Sequence, residues 1–334
     1  MPNFAQKLVR WQRRHGRRGL PWQGTRDPYR IWLSEIMLQQ TQVAAVIPYF
    51  GRFLDRFPDV GALAAASEEE VLQLWSGLGY YARGRNLLRA AKDVVRAGGF
   101  PDTLGDIREL PGVGPSSAAA IAVFAFGRRA AILDGNVKRV LARCFAVDGE
   151  KAQWALAHSL LPARGIETYT QALMDLGATV CTRSSPACGR CPVARDCVAR
   201  REDRIAELPA ARKRKPLRLK RSTWLVLLYQ GSVLLERRPN AGIWGGLWVF
   251  PEGAGADLRA LCRRKFSCDI ARPQRIGALE HGFTHFRLKI QPILCKVRGV
   301  LPSAEAPGRI WLTVEDALHA AVPAPVRKLL LGLA

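Results

Sequence analysis

Two different periods of apolar residues divide the chain. From Pro28 to about Arg200, residues that share a helical face recur three and four apart, with short glycine or proline breaks. Examples are Ile31/Trp32/Glu35/Ile36, Val71/Leu72/Trp75 and Leu87/Leu88/Ala91/Val94/Val95. No run in this part alternates with a period of two, so it reads as all-α. Short helices are predicted at residues 106–109 and 118–126, on either side of a glycine-rich turn. Beyond residue 221 the pattern changes. Residues 224–229 and 233–235 flank a Gln-Gly-Ser turn as the strands of a hairpin do, and Phe286, Leu288 and Ile290 alternate with Arg287, Lys289 and Gln291 as in a half-buried strand. With helices predicted over 257–266 and 313–321, the C-terminal part reads as a small α+β domain.

Between the two parts lies IAELPAARKRKPLRLKR, residues 205–221, with seven basic residues, one acid and two prolines. That composition predicts an exposed linker. The expected organisation is therefore a helical domain over 1–204, the basic linker 205–221 and a second domain over 222–334. A chain of 334 residues fits two domains at roughly 150 residues each. There are no internal repeats.

Apolar residues at 48% and charged residues at 24% are the balance of an ordinary globular chain. The charge is not ordinary: 51 Lys and Arg against 28 Asp and Glu leave +23. Such an excess calls for a polyanionic partner, nucleic acid first and an anionic membrane surface second. Seven basic residues and no acid precede Asp27, a run that reads equally as a solvated face or a phosphate-facing one. The longest uncharged stretch, 110–127, opens with Pro-Gly-Val-Gly-Pro-Ser-Ser and has too few apolar residues to cross a bilayer. The N-terminus has no secretory core, so a soluble cytoplasmic protein is expected, with a monomer as the default.

Four of the eight cysteines are clustered as Cys181-x6-Cys188-x2-Cys191-x5-Cys197. Four thiolates in one loop can close a tetrahedral zinc site or hold the four irons of a cubane [4Fe-4S] cluster. Zinc sites usually pair two Cys-x2-Cys knuckles and only one is present, which favours the cluster. Arg183, Arg190, Arg195, Arg200 and Arg201 make the same loop a basic surface suited to phosphates.

Two further features carry chemistry. In Leu110-Pro-Gly-Val-Gly-Pro-Ser-Ser, Gly112 and Gly114 let backbone N–H groups turn outward at a helix start, where they can bind a phosphate. The alternative is a plain tight turn; a Walker loop fails because no Gly-Lys-Ser/Thr follows. Among carboxylates, Glu35 has Ile31, Trp32, Leu38 and Gln39 as its helical neighbours. A glutamate on so apolar a face is either a liability or an acid whose pKa desolvation has raised, able to give a proton near neutral pH. Asp134, in Ile-Leu-Asp-Gly-Asn-Val-Lys-Arg-Val, stands where a helix begins, and an N-cap is the simpler reading.

Taken together, Leu-Pro-Gly-Val-Gly, Leu-Asp-Gly-Asn-Val-Lys-Arg-Val and the four-cysteine loop resemble the helix-hairpin-helix DNA glycosylase superfamily. Within it, Leu33-Ser-Glu-Ile-Met-Leu-Gln-Gln-Thr-Gln42 and Gly77-Leu-Gly-Tyr-Tyr-Ala-Arg-Gly-Arg85 are similar to the adenine DNA glycosylases of the MutY type. So are Arg238-Pro-x-x-Gly-Ile-Trp-Gly-Gly-Leu-Trp-x-Phe-Pro251 and Phe283-Thr-His285 in the C-terminal half. The resemblance implies a multidomain fold: two helical lobes, with the helix-hairpin-helix near 106–126 and a [4Fe-4S] loop at 181–197, followed by a Nudix-like domain. It also implies base excision repair of double-stranded DNA, with adenine removed where it is mispaired with 8-oxoguanine or guanine.

Residue by residue, the resemblance makes Glu35 the proton donor to the departing adenine, Asp134 the group that stabilises an oxocarbenium-like sugar or bonds to it transiently, and Asn136 a support for that centre. It sets Gln40 and Tyr80 as wedges into the duplex, and Gly112, Gly114, Ser116 and Lys138 at the DNA. Trp22 and Gln171 line the adenine pocket. Phe283, Thr284 and His285 read 8-oxoguanine, and Cys181, Cys188, Cys191 and Cys197 hold the cluster. The chemistry is coherent, because adenine leaves poorly without a proton and positive charge then develops on the ribose. The base must first leave the stack.

Two positions and one absent motif depart from relatives. Ser116 stands where glycosylase-lyases such as endonuclease III place a lysine nucleophile, so a strong Schiff-base lyase is not expected. The C-terminal half lacks the acidic Gly-x5-Glu-x7-Arg-Glu box of pyrophosphate-cleaving Nudix enzymes and should bind without hydrolysing. Thr284 replaces the usual Ser of the Phe-Ser-His loop. The competing readings are a glycosylase-lyase acting on oxidised pyrimidines, disfavoured by Ser116, and a DNA-binding module without catalysis, disfavoured by the pair Glu35 and Asp134.

Overall fold

The structure is a computed structural model that describes residues 3–210, 216–255, 257–300 and 306–333. Residues 211–215 of the expected linker lie outside the described residues. Up to the linker the chain runs through α1 (Asn3–His15), α2 (Pro28–Leu38), α3 (Val43–Arg56), α4 (Val60–Ala65), α5 (Glu68–Trp75), α6 (Ala82–Arg96), α7 (Leu104–Glu109), α8 (Pro115–Phe126), α9 (Gly135–Phe145), α10 (Glu150–Ser159), α11 (Ile166–Asp175) and α12 (Val198–Arg201). A π-helical turn over Leu176–Val180 continues α11, and a 3-10 turn spans Cys188–Arg190. After the linker come β1 (Arg218–Tyr229), β2 (Ser232–Arg237), β3 (Trp248–Val249), α13 (Leu258–Phe266), β4 (Cys268–Ile270), β5 (Gln274–Arg275), β6 (Leu279–Gly282), β7 (Phe286–Val300), β8 (Arg309–Thr313), α14 (Val314–His319) and α15 (Ala324–Leu331).

The chain forms two compact units. One runs up to Ala65 and resumes at Asn86; the other joins residues 66–85 to the part beyond the linker. The helical unit has no strand among its described residues, as the apolar period predicts. Its core gathers Phe4, Leu8 and Trp11 of α1 with Val123, Ile132, Leu133, Val137, Leu141, Tyr169 and Leu173. Lys7, Arg10, Arg13 and Arg14 of the basic N-terminal run thus lie on the outer face of α1, whose inner face is core.

In the second unit β7 is the spine. It pairs in parallel with β1 from Arg218↔Phe286 to Leu228↔Lys296, and antiparallel with β6, β5 and β4. β2 pairs antiparallel with β1, β3 and β8. Residues 224–227 are all fully buried because the sheet is covered on both faces: Trp224 and Val226 join one cluster with Ala317, Val326 and Leu330, while Leu225 and Leu227 join another with Cys262 and Phe266.

Two boundaries differ from the sequence reading. The helical domain was expected to hold residues 66–85, which instead pack with the C-terminal part. Leu72 lies in the Trp224 cluster, Trp248 Nε1 donates to Glu69 at 2.8 Å, and Ser76 Oγ donates to the Val322 carbonyl at 2.7 Å. The period of α5 reveals its apolar face but not which core that face covers. The end of the expected linker, Arg218–Arg221, is strand, held by the register with β7. Its side chains stay exposed, which is why its composition reads as linker.

Candidate active site and cluster loop

Helix α2 starts at a strong signal: Asp27 caps it by accepting from the Tyr29 amide at 2.9 Å, and Pro28 occupies the first turn. Ile31, Trp32, Leu33, Ile36 and Met37 are buried around it, so the helix runs through core. Glu35, half-buried on that helix, lines a cavity of about 490 Å³. Trp22 and Gln171, expected in the adenine pocket, line the same cavity. Trp22 is fixed edge-on to Phe50 at 5.4 Å between ring centroids. Burial, and then the charge of Asp134, push the Glu35 carboxyl up to about 8. It therefore holds its proton at neutral pH.

Asp134 is also the N-cap of α9, its Oδ1 accepting from the Val137 amide at 2.7 Å. The capping reading therefore holds, and the same carboxylate's charge helps to raise Glu35. Burial raises its pKa, while the amides of Val137 and Asn136 and the charges of Arg139 and Lys138 pull the other way. Both carboxyls are desolvated, but only Asp134 has amides and cations that oppose burial and favour its charged form, and this difference in surroundings separates the pair.

Other expected residues surround α9. Ser116 Oγ accepts from the Leu133 amide at 3.0 Å, next to Asp134. Asn136 Oδ1 accepts from Arg139 Nη2 at 2.8 Å; the same guanidinium donates to the carbonyls of Gly177 and Cys181, each at 2.7 Å. Lys138 is paired with Glu150 at 3.0 Å near the surface. Sequence reasoning missed Arg139, although it lies inside the quoted motif, and Gly177, where a Cβ would stand 2.5 Å from that of Asn136.

The hairpin between α7 and α8 forms as expected. Gly112 has φ +82, and a side chain there would meet Asn86 Cβ at 2.9 Å, so only glycine fits. Gly114 is the N-cap of α8 with Pro115 following. Gln39 Nε2 ties the end of α2 to this turn, donating to Gly112 O at 3.2 Å. Gln40 is exposed with φ +57, a left-handed conformation that costs a non-glycine residue energy.

In the second unit, Phe283, Thr284 and His285 form the turn of the β6–β7 hairpin, closed by Phe283 N donating to Phe286 O at 2.9 Å. Phe283 stacks on Phe286 at 4.4 Å and packs against Trp244 and His281. Exposed Tyr80, also in the left-handed region at φ +50, has its hydroxyl 3.3 Å from Thr284 Oγ1. The segment 66–85 therefore brings together two residues that lie 204 positions apart in the chain.

The four clustered cysteines line a single cavity. Among the described residues no three Cys, His, Asp or Glu side chains converge on one metal ion. Four thiols around one space are the donor set of a cubane cluster or of zinc, and the single Cys-x2-Cys knuckle favours the cluster. Buried Arg143 secures the loop, donating to Thr182 O at 2.6 Å, Arg183 O at 2.9 Å and Leu208 O at 2.9 Å. Only Val193 is buried within 181–197, so the loop has little core of its own. Cys191→Ser is expected to bleach the brown visible absorption and lower soluble yield; colourless wild type with stoichiometric zinc would overturn the assignment.

Residues 33–161 match the HhH-GPD superfamily of base excision DNA repair proteins, residues 181–197 the iron-sulfur binding domain of endonuclease III, and residues 223–332 the NUDIX domain. The adenine DNA glycosylase of Buchnera aphidicola subsp. Baizongia pistaciae is 35% identical over 335 residues, covering 98% of this chain and 95% of that one. The human adenine DNA glycosylase is 33% identical, covering 97% of this chain and 73% of its own. The solved structure of a thermostable thymine-DNA glycosylase superposes with a TM-score of 0.56 at 29% identity, covering 60% of this chain and 96% of that one. No described helix is long and apolar enough to cross a membrane. The cavity with its raised acid, the hairpin and the cluster loop agree with these matches, and the chain belongs to the adenine DNA glycosylase family, as a base excision repair glycosylase carrying a [4Fe-4S] cluster.

Proposed function

We propose that this enzyme excises adenine mispaired with 8-oxoguanine, or with guanine, from duplex DNA and leaves an abasic site in an intact strand. The observation that carries the reading is Glu35, an acid raised to about 8 in the same cavity as Trp22 and Gln171. The adenine, extruded from the stack, occupies that cavity. Glu35 protonates a ring nitrogen as the glycosidic bond breaks, the Asp134 carboxylate stabilises positive charge on the sugar, and water then bonds to C1′ and loses a proton, which gives the abasic site. Asn136 and Arg139 keep the start of α9 in place. Gly112, Gly114, Ser116 and Lys138 contact the DNA strand, with Gln40 and Tyr80 as wedges. Cys181, Cys188, Cys191 and Cys197 ligate the cluster, which when bound cross-links a loop with little core and presents its arginines to phosphates.

Discrimination for 8-oxoguanine rests with Phe283, Thr284 and His285. The Thr284 hydroxyl beside Tyr80 OH supports this, because both can reach one base edge as a pair. The test is single-turnover release of adenine from duplexes with 8-oxoguanine or guanine opposite, followed by strand analysis before alkali. Wild type should prefer 8-oxoguanine and leave the strand uncut, since Ser116 cannot form an imine. Removing both hydroxyls, as Tyr80→Phe with Thr284→Val, should lower the preference roughly tenfold, the scale of one lost hydrogen-bonding group. Scission without alkali would make the protein a glycosylase-lyase. An unchanged preference would move recognition off this hairpin.

A further inference from the structure

Asp175, at the end of α11, is fully buried, and the scheme above leaves it unused. Its carboxylate gathers five donors. Oδ2 accepts from Gln12 Nε2 and the Arg17 amide, each at 2.8 Å. Oδ1 accepts from Arg17 Nε at 2.8 Å, Arg17 Nη2 at 2.7 Å and Gln171 Nε2 at 2.9 Å. Gln12, Arg17 and Gln171 all line the cavity that holds Glu35, while Asp175 stands behind them.

This arrangement fixes more than position. An amide side chain can turn end for end, and the partners decide which end points where. If Gln171 turned, its oxygen would face Asp175 Oδ1 at hydrogen-bond distance, two acceptors in a buried site with no proton between them. Gln171 therefore keeps its nitrogen on Asp175, and its carbonyl oxygen is left to a ligand. Adenine presents a donor there, its exocyclic amine. Guanine and hypoxanthine present a carbonyl oxygen instead, which would oppose Oε1.

We infer that Asp175 is a positioning residue that sets base specificity: by holding Gln171 with its carbonyl outward, it makes the pocket accept a 6-amino purine and reject a 6-oxo purine. The inference rests on adenine occupying this cavity. It goes beyond that reading in assigning the choice of base to a carboxylate that never touches it.

The test compares excision of adenine and of hypoxanthine, each opposite the same base, under single turnover with cluster-loaded protein. Asp175→Ala removes the acceptor that holds Gln171 Nε2 and leaves the Arg17 donors free to take the Gln171 oxygen, so the adenine-to-hypoxanthine ratio should fall by about 10- to 100-fold, the range set by one unpaired buried hydrogen-bonding group. In a Gln171→Met background, Asp175→Ala should leave the ratio unmoved, because its effect passes through Gln171. A ratio unchanged by Asp175→Ala, whatever happens to the absolute rate, would overturn the inference and leave Asp175 a structural carboxylate. Should Asp175→Ala fail to fold, Gln171→Met alone decides: it must lose the same preference, and keeping it would sink the proposal. Wild type that releases no adenine would defeat the functional reading itself; adenine release with an unmoved ratio defeats this inference alone.

Discussion

Glu35→Gln should bind mispaired duplex as wild type does and lose adenine excision by at least ~10²–10⁴-fold, the usual contribution of a general acid. The amide keeps the shape of the cavity wall but has no acidic proton for the base. The pH dependence gives a second readout. Burial, with the Asp134 charge, holds the folded Glu35 near 8, so the competent acid form predominates below that pH. Single-turnover excision by wild type should fall as pH rises through about 8, and residual activity of Glu35→Gln should not follow that profile. Stability should change in the same sense. In the unfolded chain Glu35 ionises near 4.5, while in the folded protein it keeps its proton to about 8. Across that window the folded state binds the extra proton, so its advantage over the unfolded state shrinks as pH rises. Glu35→Gln removes this dependence and should be more stable than wild type at alkaline pH and little different in acid. Excision within tenfold of wild type would remove Glu35 from the mechanism.

Asp134→Asn should be comparably damaging to excision, because a neutral amide cannot offset an oxocarbenium-like charge. The substitution separates the two roles of this side chain. Asparagine is as good an N-cap as aspartate, so the bond to the Val137 amide and the start of α9 should survive. The variant is expected to keep its cluster absorption, thermal midpoint and DNA affinity while losing turnover. Asp134→Ala should in addition lose the cap, at a cost of about 0.5–2 kcal/mol in folding stability. If Asp134→Asn excised adenine at near wild-type rates, Asp134 would be no more than a helix cap.

Much of this molecule is legible locally. The 3.6-residue period marks the helical unit, and the alternation of Phe286, Leu288 and Ile290 marks β7. The cysteine spacing marks the cluster loop, and Gly112 the tight turn. These features depend on backbone preference and near neighbours, so they are written in adjacent residues. Glu35 is legible for the same reason: an acid among Ile31, Trp32 and Leu38 is anomalous on its own helix.

What the tertiary structure decided depends on groups far apart in sequence. The period of α5 shows an apolar face, but only packing shows that Leu72 covers the Trp224 core. Arg218–Arg221 becomes strand because β7 supplies hydrogen-bond partners, not because of its own composition. Tyr80 and Thr284 meet through folding alone. Asp175 could have been suspected from its four-residue spacing to Gln171 on a buried face, yet its partners Gln12 and Arg17 come from the other end of the unit. An isolated charge on a helix tells only that it is costly to bury; which donors stabilise it, and so what it does, is fixed by the chain segments that fold against it.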